Sequence, residues 1–399
     1  MPELGVLRPP RTVLLGDGVV EAAGRTVAAL GERALICTDP FLAAAPPLRA
    51  VTASLRAAGV RHEVFDGTVA ELPLPAVEAA VREARALAPD VIVGLGGGSC
   101  LDMAKLIALG LSTDAPLSDC YGEHNVPGPT VPVVAIPTTA GTGSEVTPVA
   151  VLTDPASELK VGISSPHLVP VAAICDPALT LGAPATVTAF AGIDALAHAV
   201  EAYTAVRRPT WADMAQRVFV GRNALSDRWA LHAIARVGAG LRGAIDDDPA
   251  ARALVMEGSL SAGLAFATAG TALAHALQYP IGARTRTPHG LGVGLLLPFV
   301  MAYNAPACEA RMADVGRALG TDDPARAVRD LALDVGVPGS LAQIGVQAGE
   351  LEEIATAALG IERLIANNPR EVDPAGLTAL LRAAHAGDLA PLTPMEAHR

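Results

Sequence analysis

The spacing of apolar residues changes once along the chain. Short β-branched apolar runs at 12–15, 34–38, 62–65, 91–95 and 133–137 alternate with Ala-rich segments of helical spacing. The intervening helices are predicted over 19–30, 47–58, 75–87 and 99–110, each long enough to cross the face of a parallel sheet. Further runs at 149–152, 159–163 and 171–175 add strands. After Pro177 the strand pattern stops, and Ala, Leu, Arg and Glu recur with helical spacing as far as Ala384. Pro177 and Pro184 punctuate this change. The fold class expected is an α/β N-terminal domain over residues 1–183, followed by an all-α C-terminal domain over 184–399.

Composition supports this layout. A chain of 399 residues that is 51% hydrophobic has core enough for two domains. The formal net charge of -12 argues against nucleic acid as a partner, because a phosphate-binding surface needs clustered Lys and Arg. Residues 1–10 lack the basic start and apolar run of a secretory signal. No apolar run of membrane-spanning length is expected, so the expected location is cytoplasmic, away from membranes. The 5 cysteines are odd in number and form no C-x-x-C, which favours free thiols over a disulfide framework or a structural zinc site. Lys105 and Lys160 are the only lysines, and both fall in stretches that carry motifs.

One such stretch is GGGSCLDMAK at 96–105, which follows an apolar strand and enters a helix. Gly96, Gly97 and Gly98 let backbone approach a pyrophosphate without Cβ clashes, and the helix start near Ser99 turns unpaired N–H groups toward the charge. The spacing matches neither a P-loop nor G-x-G-x-x-G, and a structural turn is an equal reading of the glycines alone. Asp102, in the first helical turn, either caps the helix or binds a hydroxyl. A second loop, PTTAGTGSE at 137–145, offers hydroxyls and one carboxylate after another apolar strand. Asp39 ends the strand at 34–38, where a carboxylate binds ribose hydroxyls and repels a 2′-phosphate; its bland reading is a helix N-cap before Pro40.

Asp194 and His198 are four apart on a predicted helix and share a face. His275 and His289 flank a segment broken by Pro280, Gly282 and Pro288, which lets the chain return His289 beside His275. One oxygen and three imidazoles suit Fe²⁺ or Zn²⁺. Each pair alone is a weak signal; their occurrence after two nucleotide-type loops strengthens both.

Taken together, GGGSCLDMAK at 96–105, PTTAGTGSE at 137–145, Asp194 with His198 and Glu201, and His275 with PHG at 288–290 resemble the iron-dependent, or group III, alcohol dehydrogenases over nearly the whole chain. The resemblance implies a dehydroquinate synthase-like architecture and hydride transfer between NAD(H) and a small alcohol or aldehyde. It implies Fe²⁺, with Zn²⁺ as the alternative, held by Asp194, His198, His275 and His289. It further implies that Gly96, Gly97, Gly98 and Ser99 hold the pyrophosphate, Thr138 and Thr139 line the nucleotide site, Lys160 lies near the cofactor, and Asp39 favours NAD(H) over NADP(H). A homo-oligomer, most simply a dimer, is the expected assembly. One residue departs from the family pattern: Tyr279 stands where many members carry a second His assigned to proton transfer. Tyr279 is either a relay or an aromatic wall. The 207–221 stretch, with Arg207, Arg208, Trp211 and Arg217, is a second difference, placed at the substrate mouth. Arg284 and Arg286 between two proposed ligands admit an aldehyde bearing an anionic group. Two other readings remain at this level: a metal- and NAD-dependent lyase of the dehydroquinate synthase type, disfavoured by the shortage of lysines, and a non-catalytic nucleotide- or metal-binding protein.

Overall fold

The computed structural model describes residues 4–156, 160–208, 210, 212 and 216–392. Leu159 and Trp211, which enter the readings above, lie outside the described residues. The chain divides into two compact units, one of Leu7–Ala183 with Ala215–Val218, the other of Pro184–Met214 and Phe219–Arg399 with Met1–Val6.

Among its described residues the first unit holds nine strands: β1 Thr12–Leu15, β2 Arg33–Cys37, β3 Arg61–Phe65, β4 Val91–Gly96, β5 Gly122–Glu123, β6 Val133–Pro137, β7 Val149–Thr153, β8 Lys160–Ser164 and β9 Ala172–Cys175. Six of them form a parallel sheet in the order β1-β9-β6-β4-β2-β3. Alternation within each strand divides the core between the two faces. Leu35, Cys37 and Ile92 pack on one side, while Ala34, Ile36, Val91, Val93 and Leu95 pack on the other. Helices α1 Pro46–Ala57, α2 Leu74–Leu87 and α3 Gly98–Ser112 cover these faces. From β2 the chain steps outward to β3, then returns to the other side of β2 to lay down β4. That reversal is a topological switch point, and the ends of β2 and β4 beside it are where open α/β sheets place ligands.

Local details depart from the sequence-based expectation. The predicted helix at 19–30 is a 3₁₀ turn, Val19–Ala22, followed by the short helix Ala23–Ala28. A Cβ at Gly24 would stand 2.0 Å from the Ser54 carbonyl oxygen, so this segment depends on a glycine where α1 approaches it. The short strand β5, in a stretch with no apolar period, pairs with β8, which also pairs antiparallel with β7.

The second unit is built of helices. Helix α4 Ala185–Thr204 packs against α5 Ala224–Ile245, α6 Pro249–Ala269 and α8 His289–Asn304, while α7 Leu273–Thr285 packs on α8. Against expectation, His289–Ala307 is long and apolar enough to cross a membrane. Glycines and prolines dilute the run, but no charge interrupts it from Gly290 to Cys308. It is 72% buried in the protein, which marks it as a core helix.

Among its described residues the first unit buries Lys105, Glu145 and Asp176. Lys105 on α3 donates from Nζ to the carbonyl oxygens of Thr147 at 2.9 Å and Val149 at 2.8 Å. Burial lowers its pKa to about 8, against the pull of Asp102 and Glu145. Burial likewise raises the Glu145 carboxyl from 4.5 to about 7, partly offset by its backbone hydrogen bond and by Lys105. The folded chain therefore keeps a proton that the unfolded chain releases, and this group's contribution to stability falls as pH rises from about 4.5 through about 7. Glu145→Gln keeps the neutral form throughout. Thermal unfolding at about pH 5 and about pH 8 should show the variant gaining on wild type at the higher pH; an equal difference at both contradicts the assignment.

Candidate functional site

Three residues of α4, Asp194, His198 and Glu201, lie on one helical face and are buried. His275 sits in the first turn of α7, and His289 is the first residue of α8, after Pro288. Glycines bring α8 close to α4. A Cβ at Gly290 would stand 2.1 Å from the Phe190 carbonyl oxygen, and one at Gly294 would stand 2.5 Å from Ile193 Cγ2. This spacing seats His289 beside Asp194.

Asp194 Oδ1 is 3.6 Å from His275 Nε2, and 3.9 Å from both His198 Nε2 and His289 Nε2. These distances are too long for hydrogen bonds. They approach the edge of about 3.4 Å expected for a tetrahedron with metal–ligand bonds of about 2.1 Å. One ligand atom each from Asp194, His198 and His275 falls within a 4.8 Å span. Asp194 Oδ1 and His275 Nε2 are buried without a hydrogen-bond partner, a costly state that a cation would relieve. The electrostatics agree. Burial alone would raise the Asp194 pKa, yet His198, His289 and His275 hold it well below the usual carboxylate range. Burial would lower the His275 pKa, yet Glu201 and Asp194 push it up to about 9.

Glu201 has a part that spacing alone does not show. Its carboxylate accepts from the backbone N–H groups of Ala272 at 2.9 Å and Ala274 at 2.6 Å, at an α7 N-terminus whose N-cap side chain makes no capping bond. It also accepts from His275 Nδ1 at 2.6 Å, which turns Nε2 toward Asp194. The available signal was its place on the face shared by Asp194 and His198; its partners lie more than seventy residues away. Phe266 stacks on His198 with ring centroids 4.2 Å apart and steadies that imidazole. The Tyr279 ring is 6.3 Å from that of His289, and burial pushes its phenol above the ordinary value.

In the first unit, β4 ends at Gly96, whose φ of 147° is closed to most side chains. The Thr138 N–H donates to the Gly96 carbonyl oxygen at 3.0 Å, so the second loop lies against the glycine turn. A Cβ at Gly98 would meet Thr142 Cγ2 at 2.6 Å. One at Gly97 would make only ordinary contact with Thr139, at 3.5 Å, so nothing in the protein requires a glycine there. Ser99 is exposed in the first turn of α3. Asp39 caps the short helix Pro40–Ala43, accepting from the Leu42 N–H at 2.8 Å, so the N-cap reading is realised. Lys160 pairs with Glu71 at 2.5 Å. Both carboxylate oxygens of Asp102 accept hydrogen bonds within the protein, from Ser144 Oγ at 2.6 Å and the Val151 N–H at 3.0 Å.

A parallel sheet with a glycine turn at its switch point, together with a helical unit that gathers one carboxylate and three imidazoles, is the layout of a metal- and dinucleotide-dependent oxidoreductase. The chain belongs to the iron-containing alcohol dehydrogenase family: that family's N-terminal model matches residues 10–177 and its C-terminal model residues 188–385. It is 37% identical to long-chain-alcohol dehydrogenase 1 of Geobacillus thermodenitrificans, over 94% of this chain and 95% of that protein. It is 31% identical to sulfoacetaldehyde reductase of Bilophila wadsworthia, over 94% and 97% respectively. The crystal structure of 1,3-propanediol oxidoreductase superposes with a TM-score of 0.89 at 30% identity, covering 96% of this chain and all of that one.

Because Glu201 orients His275, Glu201→Gln should weaken divalent-metal binding by roughly 10- to 100-fold while the chain stays folded. Competition with a chelator of known affinity measures this, and unchanged affinity contradicts the orienting role.

Proposed function

We propose that this chain interconverts small aldehydes and alcohols with NAD(H), at one divalent ion held by Asp194, His198, His275 and His289. The observation that carries the reading is the convergence of these four side chains on one point, with Asp194 Oδ1 and His275 Nε2 buried and lacking hydrogen-bond partners. A bound ion, Fe²⁺ by family and Zn²⁺ by ligand chemistry, supplies a Lewis acid for the substrate oxygen, and the nicotinamide supplies or takes up hydride. Glu201 fixes the tautomer of His275 for that task.

The glycine turn would hold the pyrophosphate. Gly97 supports this, since its missing Cβ leaves backbone open to a ligand. Ser99, Thr138 and Thr139 border the same turn, and Lys160 would approach the cofactor once it leaves Glu71. Asp39 caps its helix through one oxygen, and the carboxylate would disfavour a 2′-phosphate. The lyase reading is weaker still in light of the fold. Lys105 is buried on backbone carbonyls, so Lys160 alone would be left for a phosphate-bearing substrate.

A substrate with an anionic substituent is consistent with the similarity to a sulfoacetaldehyde reductase. Arg284 is engaged by Glu353 at 2.6 Å and by the Pro280 carbonyl, which leaves Arg286 as the first cation of that pair to test. A homodimer and a cytoplasmic location remain part of this proposal.

Protein stripped by a chelator and reloaded with Fe²⁺ or Zn²⁺ should oxidise NADH with small aldehydes only when a metal is present. NADPH should serve less well, and Asp39→Gly should narrow the gap. Turnover that ignores metal, or a wild-type preference for NADPH, contradicts the corresponding assignment. Tyr279 is taken as an aromatic wall, its ring standing 6.3 Å from that of His289. Tyr279→Phe should keep its metal and lose less than about 10-fold in turnover, whereas a loss above about 100-fold identifies a proton relay.

A further inference from the structure

Asp102 and Lys105 stand one turn apart on α3 and share a face. From that face Asp102 engages Ser144 and the Val151 N–H, while Lys105 engages the carbonyl oxygens of Thr147 and Val149. The two side chains thus pin the segment from Ser144 to Val151 at four points. The same helix begins in the glycine turn, against which loop residues Thr138, Thr139 and Thr142 are seated. Each Asp102 oxygen accepts from a protein donor, which fixes the carboxylate on the 144–151 segment. A bare carboxylate would also repel a pyrophosphate.

We propose that Asp102 is a positioning residue that does not touch the nucleotide. Through Ser144 and Val151 it holds the 138–147 loop against the glycine turn in the form that receives the dinucleotide, an assignment that rests on reading these loops as the NAD(H) site. Lys105 holds the following residues in the same register.

The test is a double-mutant cycle of Ser144→Ala and Asp102→Asn in metal-loaded protein. NADH affinity is read by fluorescence titration, together with KM for NADH, KM for aldehyde, and kcat. Each single variant should weaken NADH binding by roughly 10-fold, the scale of a lost charge-assisted hydrogen bond. The double variant should be little worse than Asp102→Asn, since both act through one contact. The loss should fall on KM for NADH, with KM for aldehyde, kcat at saturation and metal content near wild type, a split that general destabilisation does not produce. In cofactor-free protein, the amides of 144–151 should exchange hydrogen faster in both variants. If Ser144→Ala leaves NADH affinity and exchange as in wild type while Asp102→Asn weakens binding, Asp102 is a direct ligand and the proposal is overturned. If Asp102→Asn does not fold, Ser144→Ala alone decides by the same two readouts. If wild type fails to bind NADH, the nucleotide reading fails and the positioning role falls with it; faster exchange would then show only that the contact orders the loop.

Discussion

The helical unit is organised around the burial of Asp194. A carboxylate removed from water costs several kcal/mol unless opposite charge or hydrogen bonds compensate it. Here three imidazole nitrogens stand 3.6 to 3.9 Å from one of its oxygens, and that oxygen has no hydrogen-bond partner. The neighbouring sequence serves this arrangement. Gly290 and Gly294 let α8 press against α4, and Glu201 caps α7 while aiming His275. The same carboxylate therefore settles a helix end and the direction of a ligand, which joins local stability to the chemistry of the cluster.

The sheet-containing unit answers a different demand, the tight turn of backbone at the end of β4. Gly96 supplies a backbone conformation that side chains rarely adopt, Gly98 leaves room for Thr142, and Gly97 faces no protein atom that requires its small size. Strand order puts this turn beside the end of β2, where Asp39 sits. Two charged side chains on α3, buried Lys105 and half-buried Asp102, then hold the second loop in register with the first. Their desolvation is tolerable because Lys105 meets carbonyl oxygens and Asp102 meets a hydroxyl and an N–H.

Much of the architecture was legible because its signals are local. The short apolar runs at 34–38 and 91–95 mark strands, and the change of pattern after Pro177 marks the move to helices. Asp194 and His198 could be read as one face from their spacing alone. What escaped depends on partners distant in sequence. Glu201 acquires its part only when α7 is packed on α4, and the hydrogen bonds of Asp102 join it to Ser144 and Val151, 42 and 49 residues away. The strand order and the glycine contacts of α8 are likewise products of packing. The apolar run at α8 escaped for the opposite reason, since scattered glycines and prolines disguised a continuous stretch without charge.

The central claim is that one divalent ion binds at Asp194, His198, His275 and His289. Elemental analysis after loading with Fe²⁺ and removal of free metal measures it directly, in wild type and in Asp194→Ala. The account predicts about one ion per wild-type chain and nearly none in the variant, with both chains folded. Equal metal retention in the two proteins would contradict it.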